Sequence, residues 1–334
     1  MVIKDSGGGA SHNTSNNRIK RSQDVKSIYM KIAKRPEHSR STAEYKQIKN
    51  ILAVGLSKHQ SLIEIVSFDQ YEFKPLFHSP YPQLYHIHHK LFICKFCFAY
   101  FKCETSLRSH ISKCTLLYPP GREIYRIQNL KFFYVDGASK SEYCRNLCLF
   151  SKLFIKNKTQ YSNVDYFDFY ILIVSDPSGQ YFAGYFSKEK SPKWDYNLSC
   201  ILVLPWHSGN GYGKMLIDLS YTLSFLDGKT GVPEGPLSDD GLMTYRKYWK
   251  EMLERQIATS KDDFNLEKIC KNCGIDMDNA IDTLVYYELI KKCDDKIYIV
   301  DYKKTSKNIS IPKKSQFLFF DPNDLKKNLV HNPE

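Results

Sequence analysis

The chain has 334 residues, 42% hydrophobic and 14% aromatic. It is long and apolar enough for two or three packed subdomains, which excludes a wholly disordered protein. Lys and Arg number 48 against 36 Asp and Glu, a net charge of +12. That balance suits a polyanionic neighbour such as nucleic acid or chromatin, and it equally suits plain solubility.

The opening MVIKDSGGGASHNTSNNRIKR lacks the apolar stretch of a secretory leader. The longest apolar run in mid-chain, Phe169–Val174, falls far short of the about 20 residues that span a bilayer. No membrane partner is expected. The ten cysteines are therefore read as metal ligands, nucleophiles or core fillers rather than as a disulfide framework.

Residues 1–57 read as a basic disordered arm rich in Ser, Asn and Gly, with one helix expected around 41–53. Arg18-Ile-Lys-Arg21 fits a localisation signal or a solvated tail. Leu62–Phe68 alternates as a strand, and Ser79-Pro-Tyr-Pro82 is turn-like. His86, His88 and His89 read as exposed loop residues.

The run from Cys94 to Cys114 has the form C-x2-C-x3-F-x5-L-x2-H-x3-C. Cys94, Cys97, His110 and Cys114 supply four N/S ligands, which close a tetrahedron around zinc and mark a structural site. Phe101 and Leu107 stand where a ββα finger places its two core residues, and Cys103 falls outside the ligand spacing.

Beyond Pro119-Pro-Gly121, Lys131–Val135 reads as a strand. Phe169–Val174, the turn Ser175–Gly179 and Tyr181–Phe186 read as a hairpin. Ser199–Leu204 is a further buried strand. The glycine-rich segment Ser208-Gly-Asn-Gly-Tyr-Gly-Lys214 then leads into a helix with Leu216, Leu219, Leu223 and Leu226 on one face. Such a loop can bind a pyrophosphate on backbone N–H groups and a helix N-terminus. Its composition alone fits a plain strand–helix turn just as well. After Pro236, helices are expected over Tyr245–Gln256, Leu266–Cys273 and Asp276–Leu289, followed by a strand at Lys296–Val300. Helices followed by a strand pair suit a winged-helix-like tail. Cys270, Cys273 and Cys293 lack a fourth ligand at fitting spacing and read as core.

Several segments resemble the MYST histone-acetyltransferase domain. They are Pro119–Arg126, Tyr143–Phe154, Gly184–Lys190, Cys200–Pro205 and Pro233–Gly241, the last followed by Tyr245-Arg-Lys-Tyr-Trp249. The resemblance runs in order from about residue 58 to near the C-terminus. It implies an α+β fold over 58–334: the zinc finger at 94–114, a central GNAT-like acetyl-CoA-binding core at 126–235 and a winged-helix-like segment at 236–334. It implies transfer of an acetyl group from acetyl-CoA to lysine amines of histone tails, in the nucleus, within a multiprotein complex, with nonspecific DNA contact. Glu234 then matches the general base and Cys200 the active-site cysteine. Ile201, Leu202, Val203, Gly209, Asn210, Gly211, Tyr212, Gly213, Lys214 and Met215 match acetyl-CoA-binding positions, as does Ser238. Lys152 matches the lysine that the family acetylates on itself.

The chain departs from the family at Ser208 and Gly209, where glutamine and arginine are usual. Side-chain contacts to the pyrophosphate are thinned there, while Gly211, Gly213 and Lys214 remain. A catalytically weak chromatin- or nucleic-acid-binding zinc protein acting as a scaffold is the competing reading.

Overall fold

The computed structural model describes residues 63–86, 89–156, 161–191, 196–259, 265–293, 296–299 and 317–330. The basic arm, the helix expected at 41–53 and Arg18–Arg21 lie outside them. The described residues divide into two compact units, one taking those of 63–94 and 100–112, the other 95–99 and those from 113 onward.

The first unit contains β1 (Ile65–Phe68), β2 (Tyr71–Phe73), the one-turn α1 (Gln83–His86), β3 (Lys90–Ile93), β4 (Tyr100–Phe101) and α2 (Glu104–Ile111). The strands form one sheet in the order β2-β1-β3-β4. Alternation along β1 turns Val66 and Phe68 inward, where they lie opposite Leu91 and Ile93 of the parallel β3. The strand expected at 62–68 is thus present as Ile65–Phe68.

The second unit contains β5 (Arg122–Ile127), β6 (Leu130–Asp136), α3 (Ser141–Ser151), β7 (Phe167–Asp176), β8 (Gly179–Glu189), β9 (Tyr196–Leu198) and β10 (Cys200–Val203). It continues with α4 (Tyr212–Leu226), β11 (Val232–Pro233), α5 (Asp239–Thr259), α6 (Leu266–Cys273), α7 (Met277–Tyr286), β12 (Ile290–Cys293), β13 (Lys296–Ile299) and α8 (Pro322–Val330). Its main sheet has the order β10-β8-β7-β6-β5, antiparallel throughout. The expected hairpin is β7–β8. Asp176 closes its turn by accepting from the Ser178 and Gly179 N–H groups at 2.8 and 3.1 Å. β7 is central because six of its consecutive residues, Phe169–Val174, are buried. The helices α5, α6 and α7 followed by the β12–β13 hairpin match the arrangement expected of the tail.

α4 lies between two cores. Leu216, Leu219 and Leu223 pack with Phe132, Tyr170, Leu172 and Phe186 of the sheet, and Leu226 is partly buried against the same cluster. Ile217 and Tyr221 face the other way, into a cluster with Tyr245, Tyr248, Trp249 and the α6–α7 residues Ile269 and Ala280. Among the described residues no helix is long and apolar enough to cross a membrane.

A buried carboxylate ties a distant segment to this helix. Asp218 is fully buried and accepts from the backbone N–H groups of Leu318 and Phe319 at 3.2 and 2.8 Å. Arg255, also buried, donates to the Phe317 carbonyl at 2.9 Å. Phe320 then reaches Tyr125 and Phe132, each at 5.0 Å between ring centroids. Asn328 of α8 donates to the Ile124 carbonyl at 3.0 Å, which covers the outer edge of β5.

Burial pushes the Asp218 carboxyl up from 3.8 to about 6, against the hydrogen bonds from Phe319 and Leu318. The sign follows from linkage: a carboxyl with a raised folded pKa favours folding most below 3.8, and that contribution is lost as pH rises to about 6. Asp218→Asn puts an N–H₂ group against a backbone donor, and about 1–3 kcal/mol of stability should be lost. Chemical denaturation should show this penalty growing as pH falls from 6 toward 4. A variant as stable as the parent across that range would contradict the role.

Candidate active site and metal centre

The metal centre is built by a hairpin and one helix. β3 and β4 pair antiparallel, with Phe92 opposite Phe101 and Ile93 opposite Tyr100, so Cys94 and Cys97 fall in the connecting turn. His110 stands in the last turn of α2, its ring 4.9 Å from that of Phe101. The ligand atoms of Cys94, Cys97, His110 and Cys114 all lie within 4.8 Å of one another. A tetrahedral thiolate site needs about 3.8 Å between its sulfurs, so small side-chain shifts suffice. Among the described residues this is the one His/Cys/Asp/Glu group so arranged. Cys103 is outside it. It is exposed at the start of α2, where Ser106 and Thr105 hydroxyls bring its thiol down to about 7. α2 has no fully buried residue, and Leu107 is only half-buried. The apolar contacts that would hold such a module are few, and metal ligation supplies what they lack.

The second site gathers around β10, the last strand of the main sheet. β10 pairs with β8 on one side, Cys200 opposite Ser187 and Val203 opposite Gly184. Cys200 and Leu202 share the buried face, while Ile201 and Val203 are half-buried. The short turn Pro205–His207 follows, and burial holds the His207 imidazole below its usual pKa.

The glycine loop then enters α4. Gly209 and Gly211 have φ of +90° and +80°, values that favour glycine, and no atom stands within 4 Å of the position a Cβ would take at either. Gly211 is the N-cap of α4, and no side chain caps the helix. Its first-turn N–H groups therefore have no side-chain cap, an arrangement that suits an anion. Asn210 bonds back to the His207 carbonyl at 3.2 Å. Met215 is buried and Tyr212 half-buried. Lys214 pairs with Glu251 of α5 and lies 5.5 Å from the Phe319 ring centre. Its charge is shared with the helix bundle rather than offered to the loop alone.

Glu234 follows β11, half-buried, and its N–H donates to the Leu198 carbonyl at 3.0 Å. Leu198 ends β9, two residues before Cys200 in the chain, so β11 is tied to the strand just ahead of β10. Ser238 accepts from the Gly241 N–H at 3.1 Å and caps α5, so this hydroxyl has a structural task. Lys152 is the C-cap of α3 and is half-buried, less enclosed than the apolar residues around it suggest. Sequence reasoning missed Glu251, and it missed the tie from Glu234 to Leu198. Both pair residues more than thirty positions apart, for which one sequence carries no signal.

A model of the MOZ/SAS family matches residues 118–324, and a model of the MYST family zinc finger domain matches 61–114. The chain belongs to the MOZ/SAS family. It is 36% identical over 299 residues to histone acetyltransferase ESA1 of Mycosarcoma maydis, covering 90% of this chain and 51% of that protein. It is 41% identical over 252 residues to histone acetyltransferase of the MYST family 1 of Arabidopsis thaliana, covering 75% and 54%. Human histone acetyltransferase KAT6A is 41% identical over 241 residues, 72% of this chain and 12% of that protein. The chain thus spans about half the length of the first two relatives and far less of the third.

In this MOZ/SAS member the Cys94, Cys97, His110 and Cys114 cluster falls within the zinc-finger match. One structural zinc is the fitting occupant. Cys97→Ser should release the metal and lower thermal stability of the whole finger, with about one zinc per chain before the change and none after. Metal analysis that finds no zinc in folded parent protein would overturn the assignment.

Proposed function

We propose that this chain transfers the acetyl group of acetyl-CoA to side-chain amines of lysines in histone tails. The observation that carries the reading is the uncapped N-terminus of α4 behind an open glycine loop, entered directly from the edge strand that begins at Cys200. The relatives bear the name histone acetyltransferase. A diphosphate on the α4 N–H groups would lay the acyl arm along β10, past Val203, Leu202 and Ile201.

The chemistry asks for a base and an oxyanion site. A lysine amine has a pKa near about 10.4, so it arrives protonated at neutral pH. Glu234 takes that proton. The free amine attacks the thioester carbonyl, the C–N bond forms, the C–S bond breaks with the electron pair leaving on sulfur, and the nitrogen sheds its second proton to water as the neutral amide forms. The thiolate is protonated from solvent as coenzyme A departs. Backbone N–H groups of β10, the terminal strand of the sheet, hold the carbonyl oxygen as it gains charge. Cys200 shares the buried face of its strand with Leu202, the setting of a small hydrophobe, which favours direct attack over an acetyl-cysteine intermediate. Nucleosomes as substrate, a multisubunit complex, nonspecific DNA contact and a nuclear location belong to the same reading. So does the partition into an arm at 1–57 and an acetyltransferase domain at 58–334.

A second reading, a weak or inactive scaffold, is favoured by one observation. The loop's lysine is engaged by Glu251, while Ser208 and Gly209 add no cation. Acetyl transfer from labelled acetyl-CoA to core histones separates the two.

Glu234→Gln should keep the fold and acetyl-CoA binding and lose about 10²–10⁴-fold in turnover at neutral pH. The deficit should shrink as pH rises, because more substrate amine is then free. Cys200→Ala should lose less than Glu234→Gln. A pH–rate profile of the three proteins on a histone-tail peptide decides. Near-normal rates for Glu234→Gln at neutral pH would remove the base assignment, and acetyl-enzyme mapping to Cys200 would establish double displacement.

Self-acetylation is expected at Lys152. Peptide mapping after incubation with acetyl-CoA should place the group there, and acetylation confined to Lys156 or Lys158 would move the assignment.

A further inference from the structure

Gly231 is the buried residue just before β11, and it has no room for a side chain. A Cβ there would stand 2.6 Å from Asn197 Nδ2 and 2.8 Å from Tyr221 Cε1. Its N–H donates to the Gly274 carbonyl at 2.7 Å, and its backbone bridges in parallel to Ile275. At this one residue β9, α4 and the turn between α6 and α7 all meet.

The groups that crowd Gly231 cannot easily yield. Asn197 is fully buried and donates to Ser220 Oγ at 3.1 Å, and that hydroxyl donates to the Ile217 carbonyl at 2.7 Å. Tyr221 is fully buried and accepts from Trp249 Nε1 at 2.7 Å. Asn197 is also where the β9–β11 ladder slips. Val232 pairs with Tyr196 and Pro233 with Leu198, which leaves Asn197 without a partner across the ladder. Its side chain lies against Gly231 instead.

Two short paths leave this junction. One runs Asn197, Leu198, Ser199, Cys200. The other runs Gly231, Val232, Pro233, Glu234, and the Glu234 N–H to Leu198 carbonyl bond closes them together at 3.0 Å. We infer that Gly231 is a positioning residue for Glu234: its missing side chain sets how closely β11 seats on β9, and so where the Glu234 carboxylate stands beside the Cys200 strand. The inference rests on Glu234 acting as the base. It makes Asn197 the surface against which that seat is measured.

The test compares Gly231→Ala, Asn197→Ala and Glu234→Gln, singly and with each of the first two combined with the third, in the full chain. A methyl at 231 displaces β11 by a fraction of an ångström or more, and kcat on a histone-tail peptide should fall about 10²-fold. The acetyl-CoA dissociation constant, read by calorimetry, should stay within about threefold. The loss should shrink at high pH, as for Glu234→Gln. Asn197→Ala crowds nothing, so it folds where Gly231→Ala does not, and it should cost about tenfold in kcat by loosening the seat. Each double variant should be no slower than Glu234→Gln alone, because both changes act through one carboxylate. A folded Gly231→Ala or Asn197→Ala with parental kcat overturns the inference. So do losses that multiply with that of Glu234→Gln, or a loss that appears in acetyl-CoA affinity instead of kcat. Failure of the base reading shows separately, in a Glu234→Gln single variant that turns over normally, and it removes this inference as well.

Discussion

A helix that is to receive an anion at its N-terminus must leave the first-turn N–H groups unbonded by its own side chains. α4 begins that way, at Gly211, with no capping side chain. Omitting a cap typically costs about 1 kcal/mol of helix stability. The cost is offset further along, where ten consecutive residues, Met215 to Ser224, are buried. A single fully buried leucine contributes about 1.5–3 kcal/mol, so the helix body easily carries an open end. Burial on two sides requires two cores. The main sheet provides one and the α5–α7 bundle the other, which explains why the sheet cannot dispense with the helical tail.

The same helix explains the polar groups inside the protein. A helix buried all round has no solvent face on which to place Asp218, Ser220 and Thr222. Each must find a partner within the fold. Asp218 takes the backbone of Leu318 and Phe319, Ser220 takes Asn197 and its own helix, and Thr222 bonds to the Asp218 carbonyl at 2.8 Å. Two of these ties reach strands or segments far away in sequence. The polar residues of α4 therefore specify which segments pack against it, while its leucines supply most of the free energy.

What could be read from the chain alone follows the range of the interactions. The β7–β8 hairpin was legible because an Asp-Pro-Ser-Gly turn joins two apolar runs. The finger was legible because its four ligands lie within 21 residues and their spacing is local. The leucine face of α4 was legible from its period. β9 and β11 were not, being three and two residues long and paired through one slip. Nor was the pairing of Lys214 with Glu251, which links α4 to α5. The Ser238 hydroxyl caps α5, a use that only the geometry reveals.

The position of Glu234 outside the main sheet has a physical reason of its own. If the acyl arm is bound along β10, the outer edge of that strand has to stay unpaired so that its N–H groups can meet the thioester. No further strand of the sheet can then carry the base. An open edge also invites pairing with other chains, and natural sheets limit that risk by keeping such strands short. β10 has four residues and is followed at once by Leu204-Pro205. On the proposed reading the base then comes from a separate element, yet a base on a free loop would be held too loosely to stay within hydrogen-bond reach of an amine. A two-residue strand laid parallel to β9 answers both demands. It takes its bonds from β9, the strand just before β10, and so holds Glu234 on backbone that the β9–β11 ladder, the bridge from Gly231 to Ile275 and a buried helix fix in place.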